Sequence, residues 1–481
     1  MLKKIYFILP FLLTAFLVNS QVVINEYSAS NFDSHLDNYG EYEDWVELYN
    51  TTNSDIDLNG WSLTDKPANL PKWSFTGSFI ISANSVAIIY CSGRDELVGG
   101  VAHTNFKITQ TKAGEVFVLS DASGNIIDSA RAVPAQKSHS RGRDVNGGSS
   151  WSVFTTPTPN TNNSGAMLEY APLPIFSQSS GYYSAPFDLT LSCADPNAIL
   201  YYTTDGSKPD NSANLYTGPF NISSTSVVKA VAYSTNGLVP PSFIDYHTFF
   251  INDTHTVPIL SVSGDSVAVL IEDGLQNIGS WWNGTPHEPQ GTIEWFDKNG
   301  VLIDKGTGEF NKHGNDSWAY DQRGFDYVMR DQFGYNHALQ DKVFDTKSRE
   351  KFQRVIVKAA ANDNYPAAFG SSGGHIRDAY IHHLSQLADL RLDERSTKSC
   401  ILYLNGEYWG VYEMREKVDD HDFTDYYYDQ DKNNLQYLKT WGNTWIEYGG
   451  AQAQTDWDNL KNYITTNSMA NQANYQTVKS Q

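Results

Sequence analysis

Ile401-Leu402-Tyr403-Leu404-Asn405-Gly406-Glu407-Tyr408-Trp409-Gly410-Val411-Tyr412-Glu413-Met414-Arg415-Glu416-Lys417-Val418-Asp419-Asp420-His421-Asp422-Phe423 is the stretch from which the fold is read. Two runs, Ile401 to Leu404 and Tyr408 to Met414, are rich in β-branched, aromatic and aliphatic residues. Asn405-Gly406 stands between them. Both residues tolerate the positive φ of a type I′ turn, so the spacing predicts a β-hairpin. The second run exits into Arg415, Glu416, Lys417, Asp419 and Asp420. Charges at the exit of a buried hairpin form either the wall of a site or a solvated end, and the local pattern fits both.

Composition narrows the classes around this hairpin. The chain has 481 residues, a length that suggests about three domains. Hydrophobic residues make up 40% and charged residues 19%, enough apolar material for most of the chain to fold. Aromatics at 13% favour β-rich structure. A formal net charge of -21 argues against a nucleic-acid partner, which needs a basic face. It suits an extracellular protein or cation binding. Cys91, Cys193 and Cys400 are far apart and odd in number, so no disulfide framework is implied. Buried free thiols are expected, with room for one bridge.

The first residues predict export. Lys3 and Lys4 supply a positive start, Ile5 to Val18 an apolar run, and Val18-Asn19-Ser20 a small-residue cleavage site before Gln21. That run is too short for a lasting membrane span, and the mature chain is expected to have no transmembrane segment.

From Gln21 to Gly142 short strands and turns alternate, among them Val22 to Ile24, Trp45 to Tyr49, Val86 to Tyr90 and Glu115 to Leu119. This spacing predicts a β-sandwich. Ile24-Asn25-Glu26, Asp44-Trp45-Val46-Glu47-Leu48-Tyr49-Asn50 and Leu58-Asn59-Gly60-Trp61-Ser62-Leu63-Thr64-Asp65 resemble a lamin-tail domain. The resemblance implies an immunoglobulin-like sandwich used for attachment. Glu26, Asp44, Glu47 and Asp65 read either as converging calcium ligands or as strand-end carboxylates. Residues 143–172 read as linker, with Thr155 to Gly165 the clearest part. A second all-β segment follows at 173–251. Its Tyr202-Thr203-Thr204-Asp205-Gly206-Ser207-Lys208-Pro209 is similar to the small sandwich appended to chitobiases and other hexosaminidases. That resemblance implies an accessory module, with polysaccharide as a partner class.

Residues 258–481 mix strands with helical spacing. Val355-Ile356-Val357-Lys358 reads as a strand. His375 to Leu390 sets Ile376, Tyr380, Leu384 and Leu387 at the spacing of an amphipathic helix, and Asp456 to Ile464 is helical again. Asn405-Gly406-Glu407-Tyr408-Trp409-Gly410-Val411-Tyr412, then Arg415-Glu416 and Val418-Asp419, resembles the signature of the CotH family of kinase-like proteins. The fold expected is therefore multidomain: two all-β immunoglobulin-like sandwiches, then a truncated α+β domain of atypical protein-kinase type.

The CotH resemblance implies ATP and Mg as cofactors and an extracellular or cell-surface protein as phosphate acceptor. Gly314-Asn315, Ser317-Trp318 and Gln322-Arg323-Gly324-Phe325 match the segment where many relatives carry Lys on an N-lobe strand. Arg323 is the candidate phosphate-facing cation here, Arg330 a second one, and Glu416 the carboxylate expected to pair with it. The usual phosphate-binding signatures, a Walker A run and a Gly-rich kinase loop, are absent from the sequence. Gly370-Ser371-Ser372-Gly373-Gly374 before a helix reads as a phosphate cradle, a nucleophile elbow or a mobile loop. His375, His382 and His383 are spaced poorly for a metal. The resemblance also implies a catalytic Asp and a metal-binding Asp downstream. Asp425, Asp429, Asp431, Asp456 and Asp458 lie in no such context, so no catalytic or metal residue is assigned and a fragment or degenerate member is expected. The rival reading is an adhesion or carbohydrate-binding protein with an inert kinase-like domain.

Overall fold

The computed structural model describes residues 21–265, 267, 290–314, 322–364, 373–390, 392, 394–419, 421–430 and 434–480. The expected export signal, Asn315, Ser317-Trp318, Asp431 and the first three residues of Gly370 to Gly374 lie outside that set. The described chain is mostly strand with a few helices. It forms two compact units, Met1–Glu169 and Tyr170–Gln481. No helix among the described residues is long and apolar enough to cross a membrane.

The first unit is a β-sandwich. A seven-stranded sheet, with Val22–Ser28 and Trp45–Asn50 near its middle, faces a four-stranded sheet built around Val116–Ser120. Ile24, Leu48 and Ile89 from one layer pack on Leu63, Phe117 and Leu119 from the other. The sandwich does not stop at Gly142. Ser140–Arg143 pairs with both Val22–Ser28 and Trp151–Phe154, so the sheet runs into the stretch read as linker. Beyond it, Thr158 donates from N and Oγ1 to Glu26 at 3.0 and 2.5 Å, and Asn160 N donates to Glu47 Oε2 at 2.8 Å. Glu26 and Glu47 sit opposite each other on neighbouring strands, both fully buried. Buried carboxylates require donors, and the Thr- and Asn-rich segment supplies them, so its polar composition reflects docking instead of freedom. Asp65 pairs with Lys72 at 2.5 Å. Among the described residues no group of three or more His, Cys, Asp or Glu is placed to hold a metal ion.

The second unit begins with a module whose five-stranded sheet includes Gly181–Tyr183, Asp245–Ile251, Ser226–Tyr233 and Ile199–Thr203. Leu189, Leu200, Val228, Ala230 and Phe249 form its core. Then comes a closed seven-stranded barrel. Its strands are β1 (Ile259–Ser263), β2 (Gln290–Phe296), β3 (Leu302–Lys312), β4 (Phe325–Met329), β5 (Arg354–Lys358), β6 (Thr397–Leu404) and β7 (Glu407–Glu416). In space they run β1-β2-β3-β4-β5-β7-β6, and β6 returns to β1 in parallel. Every second residue points inward: Leu260 and Val262, Ile293 and Trp295, Phe325 and Tyr327, Val355 and Val357, Leu402 and Leu404, Tyr412 and Met414 fill the interior. The predicted hairpin is β6–β7. Asn405 and Gly406 take φ of 51° and 85°, and Leu404 pairs with Glu407 across a two-residue turn.

Among the described residues four α-helices follow or interrupt the barrel: α1 (Arg377–Leu387), α2 (His421–Tyr428), α3 (Gly450–Thr466) and α4 (Gln472–Lys479). The helix expected from the spacing of Ile376, Tyr380, Leu384 and Leu387 exists as α1, but those four residues are exposed. The only buried residue of α1 is Ser385. The side toward the barrel meets charge, so polar residues, not the apolar stripe, face inward. Cys91 and Cys400 are buried free thiols as expected, whereas Cys193 is half-buried and also free.

Candidate functional site

Alternation along β5 and β7 sends Val355, Val357, Tyr412 and Met414 inward and leaves Lys358, Glu413 and Arg415 on the outer wall. The register sets Lys358 directly opposite Glu413. The first turn of α1 lies over this wall and brings Asp378 to it. Lys358 Nζ is 3.4 Å from Asp378 Oδ2, and Arg415 donates to the same oxygen from one terminal nitrogen at 3.1 Å. Arg415 also donates to Glu413 Oε2 from Nε at 2.9 Å and from the other terminal nitrogen at 2.5 Å. Its guanidinium fork holds two carboxylates at once, which a lysine could not do in one plane. Arg415 is 1% exposed, while the Asp378 side chain is 54% exposed, so the network opens to solvent at Asp378.

The electrostatics follow from that geometry. Burial alone would raise the Asp378 carboxyl; the Arg415 hydrogen bond and the Lys358 charge outweigh it and hold the group below its ordinary range. Burial pushes Lys358 down, Arg415 adds to that, and Asp378 opposes both. A second ladder continues past the end of β7. His313 Nδ1 is 2.8 Å from Asp326 Oδ1, and Lys417 Nζ is 2.9 Å from Asp326 Oδ2 and 3.3 Å from Asp419 Oδ2. Lys439 bonds Asp419 and reaches Glu447 Oε1 at 3.0 Å. The charged exit of the hairpin is therefore buried: Glu416, Lys417 and Asp419 are all under 9% exposed.

The three residues singled out in the sequence are not gathered at one point. Arg330 Nε bonds Glu309 Oε2 at 2.7 Å at one end of β4. Arg323 is buried beside Tyr412, whose hydroxyl feels its charge. Glu416 stands four residues further along β7, roughly 13 Å for an extended strand. Its Oε1 accepts from the Tyr427 hydroxyl at 2.8 Å and lies 3.5 Å from Arg349, so its ionic partner is Arg349 in place of the expected Arg323. Burial raises its carboxyl.

The start of α1 is also different from a phosphate cradle. Asp363 accepts from the backbone amides of Gly374 at 2.8 Å and of Ile376 and Arg377 at 3.0 Å each. Arg377 Nε adds a 2.9 Å ion pair. An internal carboxylate thus takes the place that an anion would take at this helix start. The pair that the sequence reading missed is Lys358–Asp378. Each half was visible, one ending a predicted strand and the other opening a predicted helix, but only the barrel register joins them.

Three family models match the chain. Residues 18–133 match the lamin tail domain and residues 178–241 the chitobiase/beta-hexosaminidase C-terminal domain. Residues 312–481 match the CotH kinase protein model. The chain carries a CotH kinase family domain. That CotH match takes in β4 to β7 and all four helices, and so includes Lys358, Asp378, Glu413 and Arg415. The lamin-tail match falls in the sandwich unit and the chitobiase-type match in the module ahead of the barrel. No curated protein matches the chain.

Proposed function

We propose that residues 258–481 form the nucleotide-facing part of a CotH-type, α+β kinase-like domain that is exported with its two β-modules and transfers phosphate from ATP to an extracellular protein. The observation that carries this reading is the Lys358–Asp378 pair. Protein kinases hold ATP phosphates with a strand lysine that ion-pairs to an acidic residue on the next helix. Lys358 ends β5, Asp378 opens α1, and both lie inside the stretch matching the CotH kinase model. Lys358 binds phosphate oxygen. Asp378 positions the ammonium, and Arg415 with Glu413 holds Asp378 from behind. Arg330 and Glu416 brace other parts of the barrel through Glu309 and Arg349, and Arg323 is buried beside Tyr412. ATP supplies the phosphoryl group when bound. The described residues fit its phosphates through Lys358; they include no acidic trio to seat Mg. The β-modules serve attachment, to a cell-surface protein or to polysaccharide.

Calorimetric titration of MgATP into the full chain tests this. Lys358→Ala is expected to weaken binding at least about tenfold, or about 1.4 kcal/mol. Arg330→Ala, away from the pair, should leave affinity within about twofold of the parent. Equal affinity in parent and Lys358→Ala defeats the assignment. A parent that binds no nucleotide favours the attachment protein with an inert kinase-like domain.

A further inference from the structure

The module ahead of the barrel matches a family model of its own, which suggests a bead on a string. Its contacts say otherwise. The outward residues of β6, β1 and β2 include Ile401, Tyr403, Ile259 and Phe296, and these form one apolar cluster with Phe250 of the module. Tyr182 of the module packs on the same cluster. Phe250, Ile259 and Phe296 are each 0% exposed, so neither partner could leave without opening a core to water.

Polar groups are sealed into the same interface. Glu294, on the outer wall of β2, is 2% exposed. Its carboxylate accepts from the Ser180 hydroxyl of the module at 2.5 Å and from the Thr248 hydroxyl of the module. Thr248 Oγ1 also lies 2.8 Å from Ser261 Oγ on β1. From the module, the buried Lys229 ammonium donates to the Ser263 carbonyl of β1 at 3.3 Å. Asp245 receives Lys305 of β3 at 2.6 Å. Separating the surfaces would exchange these hydrogen bonds for bonds to water, a modest net loss for each that adds to the cost of wetting the apolar cluster.

The backbones themselves approach closely. A Cβ at Gly206 of the module would stand 2.7 Å from Asn405 Oδ1, and one at Gly406 would stand 2.9 Å from Ser226 Cα of the module. The hairpin turn that organises the barrel is thus lodged against the module. The connecting peptide is pinned as well: His255 N donates to the Tyr182 hydroxyl at 3.0 Å, and His255 Nε2 lies 2.7 Å from the Tyr403 hydroxyl.

We propose that the chitobiase-type module is a permanent wall of the kinase-like barrel, so that the two fold and open as one body and the module's barrel-facing surface is closed to any external ligand. Its partner is the outer face of β6, β1, β2 and β3, and the opposite wall carries Lys358 and Arg415. The inference stands whether or not the barrel binds nucleotide.

Scanning calorimetry of the full chain should show one transition for the sandwich unit and one for module and barrel together. Gly206→Val, cut into the interface from the module side, should move the second transition down as a whole by several degrees and leave the first in place. A module that melts in its own transition, or a variant that shifts only part of the second, overturns the proposal. Hydrogen exchange on the parent chain decides the matter even if the variant does not fold. Amides of Thr248 and Phe249 in the module should exchange through the same opening as those of Ser261 and Val262 in the barrel. Module amides exchanging about tenfold faster would exclude a shared body.

Discussion

At the scale of single residues, burial decides which charges matter. Glu47 lies opposite Glu26 inside the sandwich, and burial, with the Glu26 charge beside it, pushes its carboxyl up to about 8. A carboxyl raised in the folded state binds its proton there while the unfolded chain has released it. Between the ordinary glutamate value and about 8, stability therefore falls as pH rises, by at most about 1.4 kcal/mol per pH unit. The sandwich unit should melt lower at pH 8 than at pH 5, and Glu47→Gln should flatten that slope; an unchanged slope in a pH series of melting curves refutes the role given to Glu47. Arg415 gives a second case. Arg415→Ala strands the buried Glu413 without its guanidinium, and removal of one partner of a buried pair costs roughly 3–5 kcal/mol. Urea unfolding of the module–barrel unit should register that loss, and a change below about 1 kcal/mol would falsify the reading. The residue types of this site were legible in the sequence, but their pairing was not. Lys358 and Asp378 stood in adjacent predicted elements, and nothing local says that the lysine chooses Asp378. Arg323 drew attention by its place in a motif, while the outward register of β5 went unread.

At the scale of elements, local chemistry predicted what is local. Asn405-Gly406 requires positive φ at both positions, so the β6–β7 hairpin and its two-residue turn followed from the residues alone. The helix α1 shows the limit. Its period was correct, but a period reveals a stripe without revealing what lies opposite it. Leu384 and Leu387 are 41% and 71% exposed. Leu384→Ser with Leu387→Ser should therefore change stability by only about 0.5 kcal/mol, the range of ordinary surface changes, where a core-facing helix would lose several. Chemical denaturation separates these outcomes. The start of the same helix rests on Asp363. Asp363→Ala should remove about 1 kcal/mol and speed hydrogen exchange at the amides of Gly374, Ile376 and Arg377. Protection unchanged at those three amides would show that another group holds them.

At the scale of the whole molecule, composition divided the chain where contacts do not. The Thr- and Asn-rich segment reads as a tether because it lacks apolar residues, yet it supplies the donors that buried Glu26 and Glu47 require. Limited proteolysis should accordingly spare residues 155–165 while the sandwich is folded, and early cleavage there would restore the tether reading. The broad β character, the two β-modules and the kinase-family stretch were all legible, since each rests on runs of alternating residues and turn signals. Closure of the barrel was not, because it depends on one parallel seam between Ile259–Ser263 and the strand that begins at Thr397. That seam has a consequence in time. A chain made from its N-terminus presents β1 long before β6 exists, and pairing so distant in sequence forms slowly. Until Ile401 arrives beside Ile259, the edge of β1 stays bare, a ready template for a chaperone or for another unfinished chain. The moment of greatest hazard for this protein thus comes before its barrel is shut, when the first strand is waiting for the sixth.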